Sequence, residues 1–112
     1  SEALVCYLNA VRLKPGNKTT WIALLKGLYV SGYFDEALTQ LEVAREHCGD
    51  KPDFRYYHAA ILFELGKTKE AMLQLEKALK AAPRRTKVFT ELNPEYMRRT
   101  SVTDLMAKYK KK

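Results

Sequence analysis

Two histidines and two cysteines are the side chains of this 112-residue chain that react most readily near neutral pH. Activating a thiol takes an imidazole held within hydrogen-bond reach of it. Neither His47 nor His58 has a nucleophile at the spacing of any known catalytic motif. The His47-Cys48 pair falls at a helix end, where a cationic side chain suits the helix dipole. Cys6 and Cys48 are too few for a disulfide framework, and their spacing matches no zinc pattern. They read as small apolar residues with free thiols, which favours a reducing compartment such as the cytoplasm. The paired acids Asp35-Glu36 sit at a helix start, where capping accounts for them. No glycine-rich phosphate loop is present, and the five glycines serve mostly as helix stops. No catalytic residue, metal site or cofactor is therefore expected, and an enzyme is not.

Charge is the second chemical resource. The net charge of +7 lies wholly in residues 80–112, where ten basic side chains face Glu91, Glu95 and Asp104. Residues 1–79 are balanced. Clustered lysine and arginine are the electrostatic footprint of phosphate binding. The terminal Lys110-Lys111-Lys112 run is also what a solvated helix C-terminus carries. No apolar stretch reaches the length of a membrane span, and no secretory leader opens the segment.

The elements that must position these groups follow from a repeat. Glu36-Ala37-Leu38-Thr39-Gln40-Leu41-Glu42-Val43-Ala44 returns 34 positions later as Glu70-Ala71-Met72-Leu73-Gln74-Leu75-Glu76-Lys77-Ala78. Ala37, Leu41 and Ala44 share one helical face, and Ala71, Leu75 and Ala78 repeat it. Each unit reads as two helices around a tight corner. Thr19 or Thr20 caps a first helix, Trp21 to Ser31, with Leu24, Leu25 and Leu28 inward, and Gly32 ends it. Asp35-Glu36 opens a second helix to about His47. The next unit starts at Pro52, stops at Gly66, restarts with Thr68 as cap and closes at Pro83.

Glu2 to Leu13 matches the second helix of a preceding unit, so the chain reads as the C-terminal piece of a longer array. Leu4, Tyr7, Leu8 and Val11 would then keep apolar surface uncovered. After Pro83 the match decays. A helix over Arg84 to Leu92, a turn over Glu95 to Thr100 and a helix over Val102 to Tyr109 would close the array.

On these residues the chain resembles the tetratricopeptide repeat family, whose signature spans 34 residues. Trp21, Leu24, Leu25, Leu28, Gly32, Ala37, Leu41 and Ala44 stand in its slots in one unit. Arg55, His58, Ala59, Leu62, Gly66, Ala71, Leu75, Ala78 and Pro83 do so in the next. Arg55 and His58 depart from the large apolar residues usual there, and Gly49 stands where proline is usual. The resemblance covers about residues 2–83. It implies an all-α solenoid, a right-handed superhelix of antiparallel helix pairs with a C-terminal capping helix. One domain would span 1–112: a half unit over 1–17, repeats over 18–51 and 52–85, and a degenerate closing segment over 86–112.

The resemblance further implies a concave groove lined by first helices, with Ile22, Lys26, Tyr29, Tyr56, Phe63 and Glu64 as its candidate ligand-binding residues. Tyr56 and Tyr57 are adjacent on a helix, so at least one is structural. The cationic clamp by which some family members hold chaperone C-termini is largely absent, since Ile22, Ala23, Asp53 and Tyr57 occupy four of its slots beside Lys26. The expected function is a non-catalytic module holding a protein or peptide partner. Self-association through the Tyr7/Leu8 face is a further expectation. The rival reading is nucleic-acid or acidic-surface binding through the basic segment.

Overall fold

The computed structural model describes residues 2–110. Among them every element is helical and no strand occurs. Five long helices come first: α1 (Glu2–Leu13), α2 (Lys18–Val30), α3 (Phe34–Cys48), α4 (Pro52–Glu64) and α5 (Thr68–Ala81). The short α6 (Lys87–Thr90), a 3-10 turn (Pro94–Arg98) and α7 (Thr100–Lys110) follow. Each long helix packs on the next, because connectors of three or four residues reverse the chain at once. α4 also reaches back to α2. The body measures 40 × 25 × 19 Å.

Backbone and core both repeat. The starts of α2 and α4, Lys18 and Pro52, lie 34 positions apart, as do those of α3 and α5, Phe34 and Thr68. The corners match bond for bond. Gly32 N donates to Tyr29 O and Tyr33 N to Leu28 O; Gly66 N donates to Phe63 O and Lys67 N to Leu62 O. Gly32 and Gly66 hold φ of +83° and +78°, the left-handed region that a Cβ disfavours. Ala37, Leu41, Ala44, Ala71, Leu75 and Ala78 are all fully buried. The alanines allow close helix approach, and each buried leucine contributes about 2 kcal/mol.

Several boundaries differ from the sequence expectation. Asn17 caps α2 by accepting from Thr20 N at 3.2 Å, so the helix starts before Thr19. Thr68 is the first helical residue of α5, and Lys67 precedes it without a side-chain cap. The helix expected over 84–92 shrinks to Lys87–Thr90, and the expected turn is the 3-10 segment. Leu4 and Val11 are not uncovered: both are buried in the core α1 shares with α2. Tyr7 and Leu8 are half-buried, whereas Val5 and Leu13 face solvent. Lys111 and Lys112 lie outside the described residues.

Arg55 and His58, which stand where the resemblance calls for large apolar residues, both find polar partners. Arg55 pairs with Asp50 and reaches Gln74 at 3.5 Å. Arg45 Nη2 lies 3.2 Å from His58 Nδ1. A guanidinium only donates, so Nδ1 accepts and the ring is neutral. Burial, then the positive charge of Arg45, pushes the His58 pKa down to about 4; Glu42 and Glu70 oppose the shift and Arg55 adds to it.

A Gly66→Ala variant should lose about 1–2 kcal/mol in denaturant unfolding, because alanine must adopt the left-handed conformation. Gly16→Ala, at a position without positive φ or a nearby neighbour, should change little. The unfolded chain binds a proton at His58 that the folded chain refuses. Stability is therefore full above pH 6.5 and falls as the pH drops from there to about 4. His58→Gln should flatten that part of a melting-temperature profile.

Candidate functional site

α4 is the centre of the molecule, and residues 85–99 run along it from its first turn to its last residue. At the start, Asp53 is only 6% exposed. A carboxylate removed from water needs compensating charge. Arg85 supplies it from just beyond α5, with Nε 2.7 Å from Oδ1 and Nη2 2.8 Å from Oδ2. Lys18, the first residue of α2, adds Nζ at 3.4 Å. Three elements are thus fastened at one side chain.

At the other end, Tyr96 is buried with its hydroxyl 2.7 Å from Tyr29 Oη, 2.6 Å from Glu64 Oε2 and 2.9 Å from Ala60 O. One phenol has one proton to give. The Glu64 carboxylate at the shortest distance is the stronger acceptor, so Tyr29 donates to Tyr96 and Tyr96 to Glu64. Asn93 Nδ2 donates to the same carboxylate oxygen at 3.4 Å. Around this chain the rings of Phe89 and Tyr96 stack at 4.6 Å, and Phe63 packs on them at 5.9 and 5.3 Å. The Arg99 guanidinium stands 5.0 Å over the Phe63 ring, a cation–π contact.

Burial is the main force raising the pKa of both phenols, reinforced for Tyr96 by its bond to Glu64 and for Tyr29 by the Glu64 charge. Neither becomes a phenolate near neutral pH, and both hydroxyls are engaged in the hydrogen-bonded chain. Elsewhere His47 stacks on Trp21 at 6.1 Å, and the Cys48 thiol points to the Pro15 carbonyl at 3.5 Å. No group of three metal-ligating side chains occurs among the described residues.

Of the six expected groove residues, the fold brings Tyr29, Phe63 and Glu64 together. It does not bring the other three to them. Ile22 is half-buried on α2, and exposed Lys26 borders a shallow cleft against α1 with Tyr7 and Val30. Tyr56 is fully buried and donates to Ala82 O at 2.7 Å, on the side of α4 that meets the end of α5. Tyr29, Tyr56 and Phe63 do not line an open groove as expected: all three are buried, Tyr29 and Phe63 beneath residues 85–99. Sequence reading missed Phe89, Asn93, Tyr96 and Arg99 as parts of the cluster, and Arg85 as the partner of Asp53. The available signal was two large aromatics, Phe89 and Tyr96, flanking the helix-breaking Asn93-Pro94 in a segment without periodicity.

Comparison with protein-family models, with curated proteins and with solved structures finds no match for this chain.

Tyr96→Phe removes the middle of the hydroxyl chain and leaves Tyr29 and Glu64 short of a partner. It should cost about 1–3 kcal/mol in urea unfolding. Tyr33→Phe, at an exposed ring, should stay within about 0.5 kcal/mol of the parent.

Proposed function

We propose that the chain is a tetratricopeptide-type helical repeat acting as a non-catalytic protein-interaction module, with the α2/α4 surface as its peptide-receiving face. What supports the receiving face is its present occupant. Residues 85–99 lie on it as two short helical turns joined by non-helical residues, held by side chains at Asp53, Tyr29, Phe63 and Glu64. Peptide grooves engage ligands in this manner, with a few anchored side chains on a preformed helical surface. The 34-residue spacing of helices, corners and buried alanines supports the repeat assignment.

The occupant also defines the preferred ligand chemistry. Two acids, Asp53 and Glu64, stand at the two ends of α4 with aromatic side chains between them. The face suits a segment carrying a basic residue at one end and a tyrosine roughly three helical turns away. An external partner of this kind competes with the chain's own residues for the same contacts.

A synthetic peptide of residues 84–99 tests the reading. Arg85→Ala/Arg99→Ala, two exposed positions, should loosen the resident segment while circular dichroism stays helical. That variant should bind the peptide in trans more tightly than the parent chain does, and Glu64→Gln added to it should weaken binding about tenfold. A helical variant that ignores the peptide would remove the α2/α4 surface from consideration.

A further inference from the structure

A second concavity opens between the exit of α5, the 3-10 turn and α7. It has a volume of about 620 Å³, with Pro83, Met97, Met106 and Ala107 among its apolar lining and Arg84 and Lys110 among its charged lining. That volume falls within the usual range for ligand sites, roughly 300–1,000 Å³. Met97 is 45% exposed and lines this space. Methionine is unbranched and polarisable, so a methionine floor adapts to differently shaped apolar groups.

The electrostatics at the rim are one-sided. Arg84 and Lys110 are exposed and make no ion pair among the described residues. The nearby acids are engaged or placed elsewhere: Glu95 faces Arg98 at 3.6 Å, Glu76 takes Lys108 at 3.8 Å and the Tyr109 hydroxyl at 2.9 Å. Asp104 is exposed on α7 and does not line the pocket. Thr86, which makes no capping bond, lines the same space.

An apolar floor with two unpaired cations at its edge complements an apolar group flanked by anions. Nucleic acid fits less well. Single strands bind through exposed aromatic platforms, and the one ring in the lining, Tyr109, is buried with its hydroxyl bound to Glu76. We propose that this pocket docks an acidic peptide segment, whose apolar side chain enters between Met97 and Met106 while neighbouring carboxylates meet Arg84 and Lys110. It takes Thr86 and Met97 from residues 85–99 but none of the α2/α4 side chains that hold that segment, so it opens on the segment's other side.

The chain has three methionines, which makes the test direct. With carbon-13-labelled methionine methyls, the full chain is titrated with a short glutamate-rich synthetic peptide bearing one central leucine. The Met97 and Met106 signals should shift together, while Met72, outside the pocket, stays in place. Arg84→Ala should weaken binding about fivefold. Replacing the peptide's leucine by serine should weaken it about tenfold or more. Unmoved Met97 and Met106 signals would overturn the proposal. So would equal binding of the serine peptide, which leaves surface charge alone, or the same shifts from a single-stranded oligonucleotide at lower concentration.

Discussion

A carboxylate cannot sit unpaired in an apolar interior, and Asp53 sits in the first turn of α4 under the rest of the molecule. Its two cations come from different parts of the chain: Lys18 opens α2, and Arg85 follows α5. Satisfying one buried charge therefore sets the approach of α2 to α4 and the direction in which the chain leaves α5. The acid also favours the N-terminal end of its own helix, where the backbone dipole is positive. Everything after Arg85 is launched along α4 by that pairing, and the aromatic cluster at Phe63 receives it.

The helical part was largely legible because its causes are local. α1 spans Glu2–Leu13 as its pattern indicates, and the corners at Gly32 and Gly66 fall where a left-handed residue is needed. Errors there were small and chemical: Asn17 outcompeted Thr19 and Thr20 as a cap, and Thr68 became helical instead of capping. Residues 85–99 were illegible for the opposite reason. Their conformation follows from partners on α2 and α4, and helical turns of four and five residues are too short to show a period.

The same distinction explains the candidate site. Tyr29, Phe63 and Glu64 were singled out from the sequence, and the fold brings them together around Tyr96. The groove assignment could not find that the surface was already covered, because Tyr96 lies 67 positions from Tyr29. Tyr56 shows the limit of slot-by-slot transfer: its neighbour Tyr57 shares the helix, but the Tyr56 hydroxyl turns to Ala82 at the end of α5.

Helices that touch only their neighbours in sequence can unzip one at a time, because each boundary is a separate weak point. The Tyr29–Tyr96 bond joins the second helix to the segment just before the last. Fraying at α7 or opening at α2 then both strain the same buried hydroxyl chain. The series of helices is thereby tied into a closed loop, so an opening at one end disturbs the other. Amide hydrogen exchange in α2, α4 and the 3-10 turn should consequently share one opening free energy, with α1 free to open more easily than the rest.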